Sequence, residues 1–253
     1  MTTTIPRVDV LGVQVSATTM DGAVAELARW VDEGECSYVC VTGVHGVMES
    51  QADPDLTDIH NRSGLTTTDG MPLVWAARYA GIDPVERVYG PDLMLAVFER
   101  SAVEGWRHFL YGGGDGVAET LAASLRDRFP GVEIVGTHTP PFRPLTAAEE
   151  DAVVEQINGS GAHFVWVGLS TPKQERWMAA MRPRLTAPGL LGVGAAFDMH
   201  SGTVRQAPAW MQRSGLEWLF RLLVEPRRLW RRYLSNNPRF VAKIVRRRPR
   251  AVA

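Results

Sequence analysis

Apolar and polar positions along the chain follow two periods in alternation. The segment Val8-Asp-Val-Leu-Gly-Val-Gln-Val alternates as a short hairpin does. Thr18 and Thr19 then stand as caps before Ala23, Val24, Leu27, Ala28 and Val31, which recur at helical spacing. Tyr38-Val-Cys-Val-Thr is a continuous apolar run of strand length, and a Gly/His loop leads from it into a second helical stretch. The same rhythm returns three times downstream. His108-Phe-Leu-Tyr precedes Gly112-Gly-Gly-Asp-Gly, His163-Phe-Val-Trp-Val precedes Gly168-Leu-Ser-Thr-Pro, and Leu190-Leu-Gly-Val precedes Gly194. Helical patterns over Val117–Phe129 and Lys173–Met181 follow the first two. Strands that read as unbroken apolar runs, each followed by a helix, predict an α/β fold: a Rossmann-like body on a parallel sheet, with ligands at the carboxyl ends of the strands.

From Gly215 the pattern changes. Leu216, Leu219, Leu222 and Leu223 repeat helically among Arg221, Arg227, Arg228, Arg231, Arg232, Trp218, Phe220, Trp230 and Tyr233. Pro226 interrupts this run and predicts two short helices. The chain therefore divides into a body over residues 1–214 and a basic amphipathic segment over 215–253. Charge sharpens that division. The whole chain holds 27 Lys+Arg against 28 Asp+Glu, yet residues 221–253 hold 11 basic residues against Glu225 alone. An acidic body with a basic tail points to an anionic partner, and aromatic and basic residues on one amphipathic segment suit a membrane interface.

The remaining composition excludes more than it selects. With 45% hydrophobic and 22% charged residues the chain is an ordinary globular protein. Cys36 and Cys40 are the only cysteines and read as reduced core residues, too few for a zinc set. The N-terminus lacks the apolar core of a signal peptide, and no stretch reaches the ~18 apolar residues of a membrane span, so a cytoplasmic protein attached to a membrane surface is expected.

Five places can carry chemistry. Gly112, Gly113 and Gly114 form a strand-to-helix loop suited to phosphate oxygens, although a plain tight turn explains them too and no Walker lysine follows. Asp69 follows a strand and precedes an apolar helix, as either a general base or a helix cap with Pro72 in the first turn. In Pro172-Lys-Gln-Glu-Arg, Lys173 is one of two lysines in an arginine-rich chain and suits a phosphate or sugar, while Glu175 favouring a helix N-terminus is the plainer reading. Asp53-Pro-Asp55 has a metal-like spacing but reads as a helix cap, so no metal is expected. His45 follows the first buried strand, as a site residue or an ordinary loop residue.

Several segments, in order, resemble the WecG/TagA/CpsF family of bacterial glycosyltransferases: Asp69-Gly-Met-Pro-Leu, Arg87-Val-Tyr-Gly-Pro-Asp-Leu, the Tyr111-Gly-Gly-Gly loop, Phe129-Pro-Gly, Val167-Gly-Leu-Ser-Thr-Pro-Lys-Gln-Glu, Phe197-Asp through Ala207-Pro, and Gly215-Leu-Glu-Trp-Leu-Phe-Arg with Glu225-Pro-Arg-Arg-Leu. The resemblance implies inverting transfer from a UDP-sugar to an acceptor on a polyprenyl diphosphate at the inner face of the plasma membrane, without a cofactor, in making cell-surface polysaccharide. It implies Asp69 as the base, Thr42 at the first strand end, Arg87 and Gln174 at the substrate pocket, and Arg221, Arg228 and Arg231 around the diphosphate. His45 stands near where many members have Asn, Ser170 where a Gly is common, and Gln206 where Arg often precedes Ala-Pro. The donor sugar thus stays among N-acetylmannosamine, its uronic acid and glucose. Docking on the anionic membrane falls to Arg246, Arg247, Arg248 and Arg250. A nucleic-acid-binding protein with an arginine tail is the alternative, disfavoured by the acidic body and the interleaved Trp and Leu, so no nucleic acid is expected. An NAD-dependent enzyme rests only on the incomplete Gly fingerprint. The oligomeric state, homo-oligomer included, is open.

Overall fold

The computed structural model describes residues 5–252; for Arg228 and Arg232 it describes the backbone only. In chain order the elements are β1 (Arg7–Val10), β2 (Val13–Ser16), α1 (Met20–Glu33), β3 (Ser37–Thr42), α2 (Val44–Ser50), α3 (Pro54–Arg62), β4 (Leu65–Thr68), α4 (Met71–Tyr79) and α5 (Gly90–Glu104). They continue as β5 (Arg107–Gly112), α6 (Val117–Arg128), β6 (Glu133–His138), α7 (Ala147–Ser160), β7 (Phe164–Gly168), α8 (Lys173–Met181), β8 (Gly189–Gly192) and α9 (Ala196–His200). The last are α10 (Ala209–Arg213), α11 (Glu217–Val224), α12 (Pro226–Arg246) and β9 (Arg250–Ala251). A six-stranded sheet runs in the order β4-β3-β8-β7-β5-β6, and a second sheet in the order β2-β1-β9. The pairs β3–β8, β8–β7, β7–β5 and β5–β6 are all parallel, as continuous apolar strands separated by helices require. The α/β, Rossmann-like expectation is met.

The chain forms two compact units. The first comprises Met1–Met20, Val41–Tyr89 and Arg205–Ala253. Its core gathers Val8, Val10, Val13 and Val15 of the hairpin with Val47, Leu73, Val74, Val85 and Phe240. Leu11 and Gly12 at φ 57 and 96 make the two-residue hairpin turn, closed by a 2.7 Å bond from the Gly12 amide to Asp9 Oδ1. Asn61 reads the hairpin's edge, accepting from the Gln14 amide at 2.8 Å and donating to the Gly12 carbonyl at 3.0 Å.

The second unit comprises Asp21–Cys40 and Gly90–Val204. Its strands β5, β7 and β8 are buried on both faces, with Phe109, Leu110, Phe164, Val165, Trp166, Leu190 and Leu191 inaccessible to solvent. A polar ring sits among them. His108 stacks on Phe98 with centroids 4.0 Å apart, and its Nδ1 accepts from Trp166 Nε1 at 3.1 Å. Burial holds the imidazole neutral and pushes its pKa down to about 3.

Two expectations need correction. Cys36 is exposed, because it lies in the turn before β3 rather than in the strand; only Cys40 is buried, and both are free. The tail does form two helices broken at Pro226, but the second is not short: α12 runs for 21 residues and continues through Pro238. Its buried Leu229 and Phe240 supply the packing that keeps a proline-containing helix together. Near the C-terminus Arg250 lies in β9, which pairs antiparallel with β1.

The neutral His108 gives a pH signature. Its folded pKa lies below the ordinary ~6.5, so the unfolded chain takes up one more proton between about pH 6.5 and 3, and stability falls as pH drops through that window, by about 1.4 kcal/mol per pH unit. Unfolding free energies of wild type and His108→Gln, measured by urea titration between pH 6 and 4.5, are expected to differ in slope by that amount.

Candidate active site

Asp69 follows directly on β4. It is not a helix cap: the N-cap of α4 is Gly70, and no side chain caps that helix. The Asp69 amide donates to the Thr42 carbonyl at 3.0 Å and to the Thr67 carbonyl at 3.1 Å, so the end of β3 holds the residue from one side. Its carboxylate faces the backbone where α2 begins, since a Cβ placed on Gly43 would lie 3.4 Å from Asp69 Oδ2. Thr42 itself is buried. Three residues on, His45 stands within 3.1 Å of Asn236 Nδ2 from α12 and 3.5 Å of Glu49 Oε1.

Arg87 holds Asp69 from the other side. Its Nε donates to the Asp69 carbonyl at 2.7 Å, its Nη1 donates to Gln212 Oε1 at 3.0 Å, and its Nη2 forms an ion pair with Glu217. The guanidinium lies over the Tyr89 ring, 3.9 Å from the centroid. The Arg87 and Glu217 side chains are only 13% and 14% exposed, so this pair is weakly screened. Burial pushes the Tyr89 phenol far above its usual range, and the charges of Glu217 and Asp69 and a hydrogen bond to Glu217 push the same way. That phenol stays protonated. For Arg221, burial opposes the charge, but Tyr233, Tyr89, Glu217 and Asp69 outweigh it and raise the pKa. Its Nε is buried and has no hydrogen-bond partner among the described residues.

The second unit holds the other predicted residues. The register pairs Gly112 with Gly168, and the Gly113 amide donates to the Gly168 carbonyl at 3.1 Å. Gly112 has φ 123, and a Cβ there would lie 2.7 Å from the Gly168 backbone, so only glycine lets these strand ends approach. The chain then enters α6 through Gly116 in the left-handed region, with no side-chain cap. Helix α8 brings in Gln174, whose Nε2 donates to the Gly192 carbonyl at 3.1 Å and to Glu175 Oε1 at 3.2 Å. Thr171 Oγ1 also donates to Glu175 Oε1, at 2.8 Å. Gln174 Oε1 is buried without a donor among the described residues, beside Gly194. A buried acceptor left open in this way is costly unless a bound hydroxyl or amide satisfies it.

Not every predicted residue joins these groups. Lys173 is exposed at the start of α8. Arg231 is exposed, its guanidinium 5.2 Å from the Trp230 ring centroid. Arg228 lies on α12, with its side chain outside the described residues. Asp53 caps α3, accepting from the Leu56 amide at 3.2 Å, as its sequence context predicts. Sequence reasoning assigned no role to Tyr89, Gln212, Glu217 or Asn236. Tyr89 and Glu217 lie inside motifs that were recognised, but only the fold pairs them with Arg87, up to 130 positions away.

The description of the Glycosyl transferase WecG/TagA/CpsF family matches residues 8–252. The chain belongs to this family. Among curated relatives, an N-acetylglucosaminyldiphosphoundecaprenol N-acetyl-beta-D-mannosaminyltransferase of Bacillus spizizenii is 28% identical over 218 residues, which are 86% of this chain and 82% of that protein. As a WecG/TagA/CpsF glycosyltransferase, the protein needs a base for the attacking hydroxyl and donors for the leaving group. No helix among the described residues is long and apolar enough to cross a membrane.

The Gly112 contact yields a test within this family fold. Gly112→Ala forces an L-residue to positive φ against backbone and is expected to cost about 2–3 kcal/mol or more. Gly114→Ala, which meets nothing closer than 3.8 Å, should cost under about 1 kcal/mol. Urea unfolding of the two variants checks the contrast.

Proposed function

We propose that the protein transfers N-acetylmannosamine from its UDP derivative to a sugar carried on a polyprenyl diphosphate, in cell-surface polysaccharide synthesis. The observation that supports this reading best is Asp69: a carboxylate at a strand end, fixed through its main chain on both sides and not used as a cap. The Bacillus relative's name supports the mannosaminyl group and the lipid diphosphate; the uronic acid and glucose are the other donors considered.

The step needs one base. As the acceptor oxygen bonds to the anomeric carbon, its proton passes to an Asp69 carboxylate oxygen, and the bond from that carbon to the UDP oxygen breaks with its electron pair on the diphosphate. Because no covalent sugar intermediate forms, the configuration inverts. In the second unit, the Gly112, Gly113 and Gly114 loop lets the donor's phosphates approach the backbone, although the Gly113 amide is itself committed to the Gly168 carbonyl, with Lys173 a cation for them, while Gln174 Oε1 accepts from a sugar hydroxyl or amide and Glu175 orients Gln174. In the first unit, Thr42 and His45 flank the acceptor, Arg87 braces the base, and Arg221, Arg228 and Arg231 serve the diphosphate.

Residues 215–253 also dock the enzyme on the inner face of the membrane. Trp230, Leu234, Val241 and Val245 are exposed at spacings that share one face of α12, and the neighbouring Arg227, Arg231, Arg239 and Arg246 are exposed too. Phe240 of the same helix is buried in the hairpin core, so the docking surface is tested by substitution rather than by deletion.

Asp69→Asn is expected to keep thermal protection by UDP while turnover on a lipid-diphosphate acceptor drops at least about 100-fold; near wild-type turnover overturns the assignment. Changing Trp230, Leu234, Val241 and Val245 together to Ser should abolish sedimentation with anionic vesicles while UDP protection persists.

A further inference from the structure

The large apolar side chains left exposed are not spread evenly over the molecule. Among the described residues, all but Val103 and Phe142 belong to the first unit, and there they lie on α4, α10, α11 and α12. Those on α11 and α12 fall within residues 215–253, but three lie outside that segment: Trp75 and Tyr79 on α4, 51% and 60% exposed, and Trp210 on α10, 60% exposed. Helix α4 is otherwise a core helix. Leu73, Val74, Ala76 and Ala77 pack into the hairpin core, while Trp75 and Tyr79, four positions apart, share the opposite face. The chain between α10 and α11 lies against that face, since a Cβ on Gly215 would meet the Trp75 ring at 3.0 Å and Met71 Cβ at 3.4 Å. Helix α11 in turn packs on α12, with the Trp218 and Tyr233 rings 5.9 Å apart. The exposed face of α4 is thus continuous with the segment proposed to dock.

Charge identifies what this surface fits. At the exposed positions of these four helices every described charged side chain is basic, with Arg78 on α4, Arg213 on α10 and the cations of α12. The one acid the four helices contain, Glu217, is turned inward to Arg87 and only 14% exposed. Asp83, in the loop after α4, lies 3.9 Å from Arg78, so Arg213 and the α12 cations carry the attraction. Exposed tryptophan and tyrosine rimmed by cations complement the interface of an anionic bilayer. We infer that α4 and α10 belong to the membrane-contacting surface, which extends from the tail into the body and holds Trp75, Tyr79 and Trp210 at the level of the lipid headgroups. This inference rests on the reading of residues 215–253 as the docking segment. It gives the body a role of its own: Asp69 stands two residues before Met71, where α4 begins, so seating α4 fixes the height of the proposed base over the layer in which a lipid diphosphate lies. Held by α12 alone, the enzyme would be attached but free to tilt.

Trp75→Ser, Tyr79→Ser and Trp210→Ser, made together in the full chain, test this. Binding to vesicles of phosphatidylglycerol and phosphatidylcholine, measured by sedimentation, should weaken at least about 10-fold, and kcat/KM on a lipid-diphosphate acceptor embedded in those vesicles should fall by at least the same factor. On a short-chain acceptor free in solution, kcat/KM should match wild type. Wild-type binding by the triple variant overturns the inference. So does an equal loss of kcat/KM on both acceptors, which would put these side chains at the site rather than at the membrane. A changed oligomeric state of the lipid-free variant, read by light scattering, also overturns it by marking the face as a contact between copies. UDP protection against thermal unfolding reports whether the variant is folded. Should it not fold, Tyr79→Ser with Trp210→Ser, which leaves Trp75 against Gly215, must weaken vesicle binding at least about 3-fold, and unchanged binding is again fatal. Failure of the docking reading is distinguished by the α12 variant, with Trp230, Leu234, Val241 and Val245 changed to Ser, which would then still sediment as wild type does.

Discussion

A guanidinium shielded from solvent constrains everything it touches, because its donors lie in one rigid plane and its charge cannot be left uncompensated. Arg87 has three donor directions and one face committed, to Asp69, Gln212, Glu217 and Tyr89. Those four groups come from the end of β4, the segment before α5, α10 and the start of α11. Removing one partner from a buried pair costs about 3 kcal/mol or more, far above a surface ion pair. The arrangement is therefore adopted whole or not at all. The main chain of Asp69 inherits this rigidity: its amide is fixed by Thr42 and Thr67, its carbonyl by Arg87.

The second unit meets a different demand with neutral groups. Gly112 and Gly168 approach so closely that no side chain intervenes, and Gln174 spans from α8 to the end of β8 through the Gly192 carbonyl. Fixed amides and carboxamides need no reorganisation when a charged ligand arrives, which is the property a transferase requires of the groups that receive a leaving group. Gln174 Oε1, a buried acceptor left open among the described residues, is consistent with a ligand carrying a hydroxyl or amide donor.

The strands and Gly-rich loops were legible because their signals are local: an apolar run bounded by glycine can hardly be anything but a buried strand and its turn. Helix α8 begins at Lys173 and ends at Met181, as its pattern predicts. What failed was decided elsewhere in the chain. Cys36 lies one residue before β3, so apolar neighbours in sequence did not bury it. Pro238 disfavours a long helix locally, and the burial of Leu229 and Phe240 on either side overrides it. Strand β9, two residues long, exists only because β1 offers an edge. Glu217 was invisible as a partner of Arg87 for the same reason: no periodicity connects residues 130 positions apart.

The near-zero net charge conceals how the tail's arginines are used. Of the four assigned to membrane attraction, Arg247 pairs with Asp9 at 2.9 Å and Arg250 lies in β9, 3.7 Å from the same carboxylate. These two help fasten the tail to the hairpin, leaving the exposed Arg246 and Arg248 from that group. At about 1 kcal/mol per basic residue near an anionic surface, that pair supplies roughly 2 kcal/mol. Full burial of an apolar side chain of this size contributes about 1.5–3 kcal/mol, so even partial insertion of Trp230, Leu234, Val241 and Val245 matches or exceeds it. In the proposed docking, the apolar face of α12 is thus the larger contribution and the arginines set the preference for anionic lipid. Salt should then weaken attachment less than the count of arginines suggests, since screening acts on the charges and leaves the apolar contact intact.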